Sequence, residues 1–181
     1  MTKKTTLIIV ACALLSMAGL AQAQSGTGTT TLSVAVGAEA ALTVNTGTTS
    51  LTTASTTFAN PYTGTTSLTY FMRTGKTTGT GTLTLKVTAD FTPAGGPLVA
   101  TPPSAGDALT YSPTVSSPGT AATGPITATT TTATAVGTWG AAASSAKAGN
   151  SASVAWSLTD DPVYAAGSTY TATTTFTISA T

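Results

Sequence analysis

Histidine is absent from the 181 residues, and cysteine occurs once, as Cys12. Without histidine there is no imidazole base, no histidine-centred triad and no histidine-ligated metal. A single cysteine makes no intramolecular disulfide and no thiolate-rich zinc site. Charge is almost as scarce: six Lys/Arg and five Asp/Glu, with Glu39 the lone glutamate. No basic surplus exists to neutralise phosphates, so nucleic acid is not an expected partner. A phosphate loop is also missing, because Gly26 and Gly28 precede a strand-like stretch rather than a helix. Beyond Gln24, no window of about ten residues combines a 3.6-residue period with helix-forming side chains.

What is present first is a targeting pattern. Lys3 and Lys4 are followed by an apolar stretch, residues 7–20, softened only by Ser16 and Gly19. Ala21-Gln22-Ala23 then has the small-x-small form of a cleavage site. About 14 apolar residues fall short of the roughly 20 that span a bilayer. Residues 1–23 are therefore expected to be a cleaved secretion signal. The mature chain would be residues 24–181, a single domain of 158 residues (181 − 23) that is secreted or at the cell surface, by way of the periplasm in a Gram-negative cell, and free of the membrane. Cleavage removes Cys12, Lys3 and Lys4 and leaves four basic and five acidic side chains, a net charge of −1.

The mature chain is rich in threonine, which supplies 47 of the 181 positions. The dominant pattern is alternation. Leu68, Tyr70 and Met72 alternate with Ser67, Thr69 and Phe71; Leu83, Leu85 and Val87 alternate with Thr82, Thr84, Lys86 and Thr88. Val154, Trp156 and Leu158 follow the same rule, as do Tyr170, Ala172, Thr174, Phe176 and Ile178. Each run reads as a half-buried strand, with threonine on the wet face, where its branched Cβ suits the pleat. About seven to nine such strands predict an all-β fold, an antiparallel Ig-like β-sandwich with Greek-key connections. Residues 74–81 should turn a hairpin, residues 90–107 and 112–125 are Pro/Gly loops, and residues 126–136 read as one weak strand. The alanine-rich stretch 141–148 is a loop or a single helical turn.

Few residues invite chemistry. Asp90, Asp107, Asp160 and Asp161 fall at strand ends, where aspartate makes Asx turns. Asp160-Asp161-Pro162 could add oxygens to a Ca²⁺ site, but no Asp-x-Asp-x-Asp spacing supports one. Adjacent aspartates also point to opposite faces of an extended chain, a poor arrangement for a carboxylate pair. Lys147, near Ser144 and Ser145, sits in a Gly/Ala/Ser loop where it stays solvated and charged. No catalytic residue, metal or cofactor is expected. Trp156 shares a face with Val154 and Leu158 and belongs to the core. Trp139, between Thr138 and Gly140, reads as a loop residue: either a sugar-stacking contact or a plug over the sandwich end.

Residues 24–36 begin with the flexible Ser25-Gly26-Thr27-Gly28 and continue with Leu32, Val34 and Val36 on alternate positions. That pattern suits either a strand donated to another subunit or the first strand of the chain's own sandwich. The strands lack the Lys and Pro gatekeepers that block edge-to-edge pairing. The expected function is thus a non-enzymatic, self-associating structural subunit of a fibre, pilus or coat, assembled by β-strand addition. Two alternatives fit the composition: a monomeric module that binds cell-wall or other extracellular polysaccharide through Trp139, and a threonine-rich ice-binding protein.

The segment Gly167-Ser168-Thr169-Tyr170-Thr171-Ala172-Thr173-Thr174-Thr175-Phe176-Thr177-Ile178-Ser179 resembles the closing strand of secreted bacterial Ig-like subunits. The nearest group is the spore coat protein U-like subunits of archaic chaperone–usher pili. Trp156-Ser157-Leu158 resembles one motif of WxL surface domains. Both resemblances imply an exported sandwich that assembles at the cell surface.

Overall fold

A computed structural model describes residues 28–54 and 56–181. The expected signal, residues 1–23, lies outside them, as do Gln24 and the three residues after it. The chain divides between Ala35 and Val36. From Val36 onward it is all-β. Nine strands follow in order: β1 (Glu39–Val44), β2 (Tyr62–Arg73), β3 (Gly81–Thr92), β4 (Thr110–Val115), β5 (Thr120–Ala121), β6 (Ile126–Thr127), β7 (Thr134–Trp139), β8 (Asn150–Leu158) and β9 (Thr171–Ala180). They form two antiparallel sheets, ordered β1-β2-β8-β4-β6 and β5-β7-β3-β9. No α-helix occurs among the described residues, and stretch 141–148 is turns and loop with an isolated bridge from Ser144 to Arg73.

The alternation read from the sequence is the alternation of burial. Leu68, Tyr70 and Met72 of β2, Leu83, Leu85 and Val87 of β3, and Val154, Trp156 and Leu158 of β8 point into one shared core. Leu83, Leu85 and Val87 are each 0% exposed. Fully burying side chains of this size contributes about 1.5–3 kcal/mol each. Their threonine neighbours face outward and pair across strands, as Thr82 with Ser179 at 2.9 Å and Thr88 with Thr175 at 3.1 Å. Lys86 is half-buried rather than fully exposed.

Four expectations change. Residues 74–81 do not close a hairpin: β2 and β3 lie in different sheets, so the segment arches between them. Local sequence does not separate these cases, because both join two strands whose apolar faces meet one core. The stretch 126–136 is interrupted and supplies β6 and the start of β7, in opposite sheets. The loop expected over 112–125 contains most of β4, including Pro113. Beyond Tyr111, β4 pairs only with β8, so Pro113 stands on an edge, where a missing N–H costs no ladder bond. Finally, Trp139 is a strand residue at the end of β7, 3% exposed and packed edge-on to Tyr70 at 4.8 Å.

A β-bulge explains Trp139. Leu83 pairs with Gly137 and Thr84 with Ala135, leaving Val136 as an extra residue. The skipped residue lets Val136 and Trp139, which strict alternation would place on opposite faces, both enter the core.

Candidate assembly surface

β9 ends its sheet, and among the described residues its only paired neighbour is β3. It carries no charge and no proline. Its inward residues Ala172, Thr174, Phe176, Ile178 and Ala180 are only half-buried, although Leu83, Leu85 and Val87 beside them are sealed. The cause lies in the opposite sheet. β8 pairs along one side of the first half of β2, but β1 pairs only with Leu68 to Arg73 and stops, so the other side of that half has no strand. Residues 45–52 line it through single contacts, such as the Thr52–Thr63 bridge and the Thr49–Thr66 hydroxyl pair at 2.6 Å. The beginning of β9 therefore faces a gap in the opposing layer.

That gap is a cleft of about 820 Å³. Tyr62, Phe91, Leu109, Trp156, Leu158 and Phe176 are among its lining residues. Trp156 is held there by a hydrogen bond from its Nε1 to Thr66 Oγ1 at 2.9 Å. One wall is the β8–β9 loop, residues 159–170. It is fixed to the β3–β4 loop by two bonds: Ala165 N–H to Gly95 O at 2.8 Å and the Thr159 hydroxyl to Gly106 O at 3.0 Å. Gly96 lies under Tyr170, where an added Cβ would meet the ring at 2.3 Å, so only glycine lets the loop pack there.

The carboxylates divide by role. Asp90 Oδ1 accepts the amides of Phe91 and Val99, at 2.8 and 2.7 Å, and Oδ2 accepts Ala100 at 2.9 Å. Burial pushes its carboxyl up, but the three amides together outweigh burial and hold it below the usual range. Asp161 makes the expected Asx turn, accepting Val163 N–H at 2.7 Å. That amide, with the nearby Ser104 hydroxyl, lowers its titration. Asp107 departs from expectation. It is 2% exposed, and its Oδ2 has no hydrogen-bond partner among the described residues. Burial, then the charge of Asp161, pushes its carboxyl up. Tyr164 is driven up as well, by burial and then by Asp107. Tyr62 is raised by burial and by Asp160. No group of three or more His, Cys, Asp or Glu suited to a metal occurs among the described residues.

The residues singled out for assembly behave differently from a first strand. Leu32, Val34 and Val36 are 91%, 86% and 62% exposed. Residues 28–38 belong to no strand, and the first strand of the sandwich starts at Glu39. Among the described residues the strands of the sandwich all lie within the unit Val36–Thr181. Trp139, the proposed ligand contact, is enclosed by the core and offers no ring face to solvent.

Sequence reasoning missed the cleft. A weak signal was present: the inward face of β9 reads Ala-Thr-Phe-Ile-Ala, less apolar than the Leu-Leu-Val of β3. Compared with known proteins, the chain matches no family model, no curated relative and no solved structure.

Proposed function

We propose that the protein is a non-enzymatic structural subunit that is exported and polymerises at the cell surface by β-strand addition on an Ig-like sandwich. Residues 28–36 of one copy add to β9 of another, with Leu32, Val34 and Val36 entering the cleft. One observation carries this reading: the chain has both an unpaired, alternating apolar segment and a sheet edge with an open, half-strand gap beside it. Six residues of added strand span about 20 Å, comparable to the half of β2 that β1 leaves without a partner strand. The export pattern of residues 1–23 and the resemblance to secreted Ig-like subunits point the same way. Neither rival gains a comparable observation. Polysaccharide binding relied on Trp139, which is buried. Ice binding needs regular free hydroxyl rows, whereas cross-strand pairs bond to each other and β3 is interrupted by register shifts.

Size-exclusion chromatography and negative-stain microscopy of the secreted protein test the proposal. Oligomer ladders or fibres are expected, and an intact mass beginning within two residues of Gln24. A strictly monomeric protein at high concentration, or one that retains Cys12, contradicts it.

A further inference from the structure

The carboxyl cluster beside the cleft is not used by strand addition, and its charge is not balanced. Asp107 comes from the β3–β4 loop; Asp160, Asp161 and Tyr164 come from the β8–β9 loop. Every basic residue of the described chain is accounted for elsewhere. Arg73 pairs with Glu39 at 2.6 Å, Lys76 is in the β2–β3 arch, Lys86 is within β3 and Lys147 is in the β7–β8 loop. None of them contributes to the titration of Asp107, Asp161 or Tyr164. A buried carboxylate without a cation is costly, and a proton is the remaining neutraliser.

The geometry supplies the place for that proton. The Asp107 carboxyl meets Asp161, and as two carboxylates neither could donate to the other. With one proton between them they form a charge-assisted O–H···O⁻ bond, which is short and strong. Two buried polar atoms, Asp107 Oδ2 and the Tyr164 hydroxyl, lack hydrogen-bond partners. They stand close enough for each to affect the other's titration. The Tyr164 backbone is tied to Asp161, its N–H donating to Asp161 O at 3.1 Å. A change at the carboxyl pair therefore acts directly on the loop that walls the cleft. Of the other groups nearby, Asp160 and Tyr62 interact with each other, and the Ser104 hydroxyl faces Asp161.

We propose that Asp107 and Asp161 share one proton, which clamps the β8–β9 loop to the β3–β4 loop and so holds the cleft wall until rising pH removes it. The sign follows from the two partners. Asp107 titrates above its unfolded value, so its contribution is present at lower pH and is lost as pH rises through the folded value. Asp161 titrates below its unfolded value, so its contribution is lost as pH falls through the folded value. The clamp is tightest between the two. That release of the clamp alters strand uptake rests on the proposed function; the clamp itself does not.

Amide hydrogen exchange on the full-length mature chain, corrected for intrinsic rates, reads the clamp at Val163, Tyr164 and Ala165 without any assembly. Protection should fall at least about tenfold as pH rises through the Asp107 titration, the effect of about one unit of differential proton affinity. Asp107→Asn, whose amide can donate permanently to Asp161, should abolish the pH dependence while keeping the loop protected. If that variant does not fold, carboxyl-carbon NMR of the unmodified protein decides, with Asp107 expected to titrate above the ordinary aspartate range. Protection that is flat across the pH range, an unchanged pH dependence in Asp107→Asn, or an ordinary Asp107 titration overturns the clamp. So does Ca²⁺ restoring protection at high pH, which would assign the charge balance to a cation. Loss of polymers in a strand variant, with loop exchange unaltered, reports on assembly alone.

Discussion

The phenol of Tyr111, on β4 of one sheet, donates a hydrogen bond to the backbone carbonyl of Ala135, on β7 of the other, at 2.7 Å. The bond crosses the core of the sandwich beside the bulge at Val136. Tyr111 is 1% exposed and packs against Trp156 at 5.6 Å, so one side chain joins the aromatic core to the second sheet's backbone.

Tyr111→Phe keeps the ring and removes the hydroxyl. A part-buried carbonyl then loses its donor, at a cost of about 1–2 kcal/mol. In a domain of this size the melting temperature should fall by roughly 2–8 °C. Denaturant unfolding should show the same loss with an unchanged slope, and strand assembly should persist, because the bond lies away from β9.

Leu85 and Phe176 are register partners on β3 and β9. Leu85 is fully enclosed, whereas Phe176 is half-exposed at the cleft. Leu85→Ala should cost about 2–5 kcal/mol, as cavity-forming changes do. Phe176→Ala should cost less in the monomer, about 1–2 kcal/mol, despite the larger side chain removed. Its main effect should appear in polymer yield by size-exclusion chromatography.

Val34→Asp and Ser33→Asp place the same charge on neighbouring positions of an exposed segment. Neither should alter monomer unfolding, since no strand contains them. Inserted in a sheet, Val34 would face inward and Ser33 outward. The charge at Val34 should weaken insertion by roughly 2–4 kcal/mol, while the charge at Ser33 should be tolerated. Microscopy should show polymers for the second and not the first. An added peptide of residues 24–36 should bind the Val34→Asp subunit at its vacant cleft.

Asp90 anchors the β3–β4 loop through three amides, and its carboxyl is held low. A lowered folded value gives stability that is present above the ordinary aspartate range and is lost as pH falls through the folded value. Asp90→Asn should therefore cost about 1–3 kcal/mol at neutral pH. The difference from the unmodified protein should shrink toward about pH 3, close to the ordinary carboxylate range. Paired thermal melts at the two pH values measure it.

The period-2 runs at Leu68, Leu83, Val154 and Phe176 determined by themselves that the fold is all-β and which face of each strand is apolar, because pleat parity is a local property of the chain. Loop composition marked the end of β2 at residues 74–81, but not β4 and β5, which lie mostly in the Pro/Gly stretch 112–125. Which strands became neighbours was decided only in the tertiary structure. The arch at 74–81 and a hairpin have the same local chemistry, and Val136 and Trp139 share a face only because a bulge against β3 breaks the parity. The exposed donor-like segment was legible, since Leu32, Val34 and Val36 alternate in an uncharged stretch. Its candidate acceptor was not. The cleft arises from the short length of β1 against the long β2 and β9, a mismatch between elements far apart in sequence. The buried state of Asp107 was hidden likewise: a loop aspartate reads as solvated until a second loop, carrying Asp161 and Tyr164, closes over it and removes water.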